Sequence, residues 1–202
     1  MKGRFISFEG IDGAGKSTHL EWYAERLREA GRAVLLTREP GGTELAEALR
    51  ALLLGEAMDA RTELLLMFAA RQDHLERRVR PALANGTWVV CDRFTDSTLA
   101  YQGSGRQGPT ERIRDLADWI HPDLWPDRTY LFDLPAPEAL RRRAQARPAD
   151  RFEAEDVAFF ERVRAGYQAL ARAEPNRFLV IDANESIDRI RLVLANDCAS
   201  LR

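Results

Sequence analysis

The chain has 202 residues, 45% hydrophobic and 31% charged, enough for one domain with a substantial core and too few for two comfortable ones. With 30 Lys+Arg against 32 Asp+Glu the formal net charge is −2, so no global positive field points to a nucleic acid polymer or an anionic membrane surface. The longest apolar run, Leu64 to Ala70, is far too short to span a bilayer. The two cysteines, Cys91 and Cys198, fit no zinc spacing, and a cytoplasmic setting is expected.

Arg4–Glu9 reads as a first strand and not as a signal peptide, because no longer apolar run follows. A glycine-rich loop leads into an amphipathic helix over Ser17–Ala30, stopped at Gly31. A second strand is predicted at Ala33–Thr37, then helices at Glu44–Leu54 and from Asp59 to about Leu83. Asn85-Gly86 turns into a third strand, Trp88–Cys91. Thr110–Ile120 is helical, Thr129–Asp133 is the fourth strand, and Pro137–Ala146 and Asp156–Ala173 are helices. Phe178–Ile181 is the fifth strand and Ser186–Leu201 the last helix. Strands separated by helical crossovers imply an α/β fold with a five-stranded parallel sheet, flanked by helices on both faces. The continuous apolar run Phe178-Leu179-Val180-Ile181 fits burial on both sides. No repeat, linker or domain break interrupts 1–202, which reads as a single domain.

Gly10-Ile11-Asp12-Gly13-Ala14-Gly15-Lys16-Ser17 fits G-x-x-x-x-G-K-[ST] without a mismatch, directly after a strand and opening a helix. Such a loop turns backbone N–H groups around a β-phosphate, aided by the N-terminal dipole of the helix that follows. Lys16 is then the residue that reaches the β- and γ-phosphates, and Ser17 is a ligand for Mg²⁺, with Thr18 beside it. Lys2 and Lys16 are the only lysines, so an interior lysine marks a place where arginine will not serve. The same scarcity leaves none for the guanine-reading N-K-x-D of GTPases. A small chain with this loop and a basic segment points to a kinase of a small molecule.

The third strand ends in Asp92-Arg93. Ligands of an open parallel sheet bind beyond the carboxyl ends of its strands, which sets this pair beside the loop. Asp92 can hold Mg²⁺, directly or through water, and Arg93 can neutralise an acceptor phosphate.

Val90-Cys91-Asp92-Arg93-Phe94-Thr95-Asp96-Ser97-Thr98-Leu99-Ala100-Tyr101-Gln102 resembles the thymidylate kinase signature, and Thr37-Arg38-Glu39-Pro40-Gly41-Gly42-Thr43 resembles a segment of the bacterial members. Phe68-Ala69-Ala70-Arg71, the glycine loop and a basic segment at Arg141–Arg151 fall in the family's order, so the resemblance covers about Arg4 to Ala183. It implies a P-loop nucleoside monophosphate kinase-like fold, a homodimer, and ATP and dTMP as substrates. It also implies that Arg38 joins Arg93 on the monophosphate, with Glu39, Pro40 and Ser97 lining the same site. Phe68 would stack on the pyrimidine and Arg71 would donate to a base carbonyl; the two lie three apart on one helix face. Tyr101 and Gln102 would border the deoxyribose and base, with Tyr101 disfavouring a 2′-hydroxyl. Asp12 would meet the sugar 3′-hydroxyl or a metal-bound water.

Arg141, Arg142, Arg143, Arg147 and Arg151 crowd a stretch interrupted by Pro148, which suits a hinged lid at about 141–153. The glycine loop has no arginine, and similar bacterial kinases carry the catalytic one in the lid. Arg147 and Arg151 are the candidates, with Arg142 or Arg143 stacking on adenine; Arg141 reads as a solvated helix face. Two rival readings remain. A uridylate or deoxynucleoside kinase is one, with Glu39 as general base in the nucleoside case. A nucleotide-dependent switch is the other, although it has no need of a second phosphate pocket.

Overall fold

The computed structural model describes residues 3–144 and 155–201. Five strands form, β1 (Phe5–Glu9), β2 (Val34–Arg38), β3 (Trp88–Asp92), β4 (Arg128–Asp133) and β5 (Phe178–Asp182), within a residue or so of the predicted spans. They make one parallel sheet in the order β2-β3-β1-β4-β5. β1 and β3 therefore lie side by side at its centre, with Ile6 opposite Val90 and Phe8 opposite Asp92.

Alternation along the strands divides the core in two. On one face Phe8 touches Tyr130, Phe132 and Tyr23 of helix α1 (Lys16–Glu29), with ring centroids 5.2–5.8 Å apart. α1 packs beside the last helix, α9 (Ile187–Ser200). On the other face Phe5, Val89 and Cys91 meet Leu75, Val79, Leu83 and Phe94. The sheet is covered on both sides, as parallel strands require. The edge strands are less covered: no residue of β2 is fully buried, and Val180 of β5 remains 51% exposed although its sequence reads as fully buried.

Helices α2 (Glu44–Gly55) and α6 (Thr110–Ile120) match the predicted spans, and α3 (Ala60–His74) begins where predicted. Thr43 and Asp59 cap the N-termini of α2 and α3 by accepting from Ala46 N and from Arg61 N and Thr62 N. The long helix expected to continue to Leu83 widens into a π turn, Leu75–Val79, before α4 (Arg80–Ala84). Pro81 sits in the first turn of α4; it cannot donate to the carbonyl four residues back, so the widening falls just ahead of it. A helix begins as α5 (Thr95–Thr98) and continues as a π turn, Leu99–Gly105. Its small polar residues and glycines carry no apolar period. Packing holds it instead: Gly105 lies so close to Phe159 that a Cβ would meet the ring at 2.7 Å. Phe159 belongs to α8 (Val157–Ala173), capped by Asp156; α7 (Ala136–Ala144) precedes it in the chain.

Phe8 joins three aromatic rings at the sheet centre and is fully buried. Phe8→Ala is expected to lower unfolding free energy in urea by about 3–5 kcal/mol. A loss below about 1 kcal/mol would mean that the aromatic cluster is not the centre of the core.

Candidate active site

The carboxyl ends of β1, β2 and β3 converge at one place, and the loop from Gly10 to Ser17 joins β1 to α1 there. Gly13 has φ 88° and backs onto α7; a Cβ would lie 2.1 Å from the Ala139 carbonyl oxygen, so only glycine fits. Gly15, also left-handed, precedes the first turn of α1. Lys16 is 6% exposed, and its ammonium donates to the carbonyls of Gly10 (2.9 Å) and Ile11 (3.1 Å). Burial, then the charge of Arg93, lowers its pKa. Ser17 and Thr18 follow on the exposed side of the turn.

Arg93 occupies the middle of the site. Its Nη2 donates to Asp12 Oδ1 (2.7 Å) and Tyr101 Oη (3.1 Å), and its Nη1 to Ser97 Oγ and Tyr167 Oη (3.1 Å each). Tyr101 closes the ring by donating to Asp12 Oδ2 at 2.9 Å. Burial alone would raise the Asp12 carboxyl, but Arg93 and Lys16 outweigh it and hold it well below the usual range. Beneath them Glu9, the last residue of β1, accepts from Phe94 N (2.7 Å), Ser97 Oγ (2.6 Å) and Tyr167 Oη (2.9 Å). Sequence reasoning missed Glu9 and Tyr167. The first reads as the end of a strand, and the second as one more aromatic on an amphipathic helix.

Two cavities share this wall. The larger, about 490 Å³, is lined by the loop from Asp12 to Thr18 (Ala14 excepted), with Arg38, Glu39, Asp92, Arg93, Arg142 and Arg143 from the sequence reading, and by Arg50, which it did not single out. Six cations there face three carboxylates. Arg50 is one helical cation among many in α2, and only the fold brings it to the site, where it donates to the Pro40 carbonyl at 2.9 Å. Arg38 is half exposed and paired with Glu47 at 2.8 Å. Arg142 bonds Glu138 and the Ala183 carbonyl, while Arg143 lies 5.5 Å over the Phe160 ring. Arg141 pairs with Glu138 on the exposed helix surface, as expected of it. Arg147 and Arg151 lie outside the described residues. Asp92 Oδ1 is buried with no protein partner.

The second cavity, lined by Pro40, Met67, Arg71, Thr98, Tyr101 and Gln102 among others, shares Asp12, Glu39, Arg50 and Arg93 with the first. Gln102 donates to the buried Glu63 at 2.9 Å. Phe68 is 2% exposed and is not part of the cavity wall; it packs in the core with the Arg71 guanidinium 4.8 Å over its ring. Arg71 donates through Nε to Glu39 (2.7 Å) and through Nη2 to Thr98 (3.0 Å), leaving Nη1 buried without a partner.

A family model described as thymidylate kinase matches residues 8–192. The chain is 54% identical to the thymidylate kinase of Bordetella petrii over 200 residues, covering 99% of this chain and 97% of that one. It is 56% identical to the thymidylate kinase of Cupriavidus metallidurans, covering all of both. The crystal structure of thymidylate kinase from Ehrlichia chaffeensis superposes with a TM-score of 0.80 at 35% identity, over 98% of this chain and 99% of the other. A parallel sheet with a phosphate loop, joined to a second cavity through Arg93, and likeness of this extent along its whole length lead to one assignment: the chain belongs to the thymidylate kinase family.

Proposed function

We propose that the chain transfers the γ-phosphoryl group of ATP to thymidine monophosphate, forming dTDP and ADP. The observation that carries this reading is the shared wall: a cavity at the glycine loop opens beside a second one, with Arg93 and Asp12 belonging to both. ATP phosphates are assigned to the first and the acceptor nucleotide to the second. An oxygen of the acceptor phosphate attacks the γ-phosphorus in line, and the bond to the β-phosphate oxygen breaks. That oxygen is already anionic, so no strong base is needed, and catalysis rests on positioning and on charge at the transferring group.

The excess of cations around the larger cavity suits a triphosphate facing a monophosphate. Lys16 serves the β- and γ-phosphates, while Arg38 and Arg93 serve the acceptor phosphate. The lid arginines Arg147 and Arg151 belong to the same proposal as donors to the transferring group, and Arg142 or Arg143 as the neighbour of adenine. On the base side, the unpartnered Nη1 of Arg71 is suited to a carbonyl acceptor, which thymine offers where cytosine has an amine. Phe68 backs Arg71 and would need to turn toward the cavity to stack on the ring itself. Tyr101 and Gln102 border the sugar and base.

Ser17 and Asp92 are the residues that would hold Mg²⁺. The orphaned Asp92 Oδ1 and a nearby hydroxyl fit an ion that takes few protein oxygens and fills its shell from phosphates and water. No group of three or more His, Cys, Asp or Glu among the described residues could hold a metal by itself. When bound, Mg²⁺ neutralises charge on the β- and γ-phosphate oxygens.

Two observations count against the rivals. Glu39, the general base a nucleoside kinase would use, has both oxygens taken by Arg71 and His74. Burial would raise its pKa, but those partners lower it, which makes it a poor proton acceptor. A switch module leaves the second cavity without a purpose.

A homodimer is part of the proposal. Leu45 and Leu52 of α2, Leu65 of α3 and Trp119 of α6 are exposed, Trp119 by 80%, on helices that pack side by side. The cytoplasmic setting rests on the cysteines, which are both free, Cys91 within the sheet and Cys198 in α9.

Coupled ADP-release assays across the ribo- and deoxyribonucleoside monophosphates are expected to give dTMP the highest kcat/KM; a preference for a nucleoside, or ATP turnover indifferent to any monophosphate, would sink the proposal. Lys16→Ala should lose about 10²–10³-fold in kcat with its circular dichroism unchanged, and an unaltered rate would remove Lys16 from phosphate binding. In sedimentation the chain should run at about twice its 22.9 kDa mass and Leu65→Glu at the monomer mass; a monomeric parent chain would dismiss the dimer.

A further inference from the structure

His74 ends α3 one turn after Arg71, and it is fully buried. Its Nδ1 is 2.9 Å from Glu39 Oε1, and its Nε2 is 2.8 Å from Thr37 Oγ1. A carboxylate only accepts, so Nδ1 carries a proton toward Glu39. The other Glu39 oxygen accepts from Arg71 Nε. Thr37, His74, Glu39 and Arg71 thus form one chain of hydrogen bonds. It starts on β2 and ends at a guanidinium in the wall of the second cavity.

We propose that His74 is a positioning residue for base recognition: through Glu39 it fixes the plane of Arg71, so that Nη1 points at a carbonyl oxygen of the acceptor base. A lone Glu39–Arg71 pair leaves the carboxylate free to rotate about its last bond. A second donor on the opposite oxygen removes that freedom and with it the rotation of the guanidinium. Phe68 and Phe94 lie 4.8 and 5.3 Å from the same guanidinium carbon and restrain it through their faces, but not within its own plane. Thr98 restrains one end through Nη2. What remains free is Nη1, buried and without a protein partner.

The same geometry accounts for Gly42, the second glycine after Pro40. A Cβ on Gly42 would lie 2.6 Å from His74 Cδ2 and 2.7 Å from Nε2 and from Thr37 Oγ1. Gly42 also has φ 88°, a conformation other residues adopt at a cost. The glycine therefore makes room for the imidazole and its threonine partner. The segment that resembles the bacterial members of the family is, on this account, the seat of the histidine.

The inference rests on Arg71 reading the base, and the experiment separates the two. KM and kcat for dTMP, dCMP and ATP are measured for the parent chain, His74→Leu, His74→Asn and Thr37→Val, each checked by thermal melting. His74→Leu should raise KM for dTMP about tenfold or more and shrink the preference for dTMP over dCMP, with KM for ATP within about twofold. His74→Asn, whose side-chain amide keeps an N–H near Nδ1, should restore most of that preference. Thr37→Val, which leaves the histidine in place, should show a smaller loss of the same sign, and it serves as the deciding variant if His74→Leu does not fold. A preference for dTMP that survives both His74→Leu and Thr37→Val overturns the inference alone, as does an equal rise in KM for dTMP and ATP. A parent chain that does not distinguish dTMP from dCMP overturns base reading by Arg71 and the inference with it.

Discussion

Arg93 adopts φ 71°, a left-handed conformation that costs a side-chain-bearing residue roughly 1–2 kcal/mol. Such a turn persists only when its surroundings hold it on several sides. Here the Arg93 N–H donates to the Phe8 carbonyl, the next N–H, of Phe94, donates to Glu9, and four side-chain oxygens accept from the guanidinium. The unfavourable backbone is what turns the side chain from the end of β3 across to Asp12 in the glycine loop. Both cavities depend on that crossing, because Arg93 and Asp12 form their common wall. A β3 that continued in extended conformation would project residue 93 along its strand, and the wall the two cavities share would lose its central cation.

The charges around this crossing are arranged with a purpose that pairwise salt bridges do not reveal. Lys16 and Arg93 lie within electrostatic reach of each other and of Asp12, Glu9 and Asp92. Burial of an isolated charge is costly, and Asp12, Arg93, Glu9 and Lys16 are each shifted by burial and by their charged neighbours. Glu9 is the group that yields: burial and the charge of Asp96 push its carboxyl up, against the opposing pull of Arg93 and its hydroxyl partners. It is fully buried and lines neither cavity. Asp12, at the cavity wall, stays ionised.

Much of this was legible in the sequence because the signals were local. Five short β-branched or aromatic runs mark the strands, and the glycine loop is contiguous. Caps such as Thr43 and Asp59 sit where helices begin, and Asp92-Arg93 ends a strand beside the loop by the rules of parallel sheets. What escaped was assembled from a distance. Tyr167 reaches Glu9 across 158 positions, and His74 reaches Glu39 and Thr37 across 35 and 37; such contacts leave no trace in spacing along the chain. Arg50 looked like any helical cation in a chain that uses arginine for nearly all its positive charge. The helix from Thr95 to Gly105 escaped for another reason: its propensities are poor, and it forms because α8 packs against it. Phe68 shows the limit of a resemblance read residue by residue. Its position on the Arg71 face of α3 was foreseen, but its ring lies in the core behind the guanidinium.

The two cavities rest on opposite electrostatic designs, and the difference follows from what each must hold. At the cavity proposed for the phosphates the lining has six cations and three carboxylates, and two of those cations, Arg38 and Arg142, hold partly exposed acids, Glu47 and Glu138, that an anion could replace. At the base end, Arg71 is already paired with Glu39, Glu39 with His74, and Gln102 with Glu63, all of them at most 5% exposed. A base is neutral, so an unpaired buried cation would gain little from it and would welcome any anion instead. Pairing the guanidinium in advance offsets its charge and leaves the Nη1 group as a directional donor. On the proposed function, the site would thereby distinguish by charge at one end and by hydrogen-bond geometry at the other, and a nucleotide spanning it would have to satisfy both.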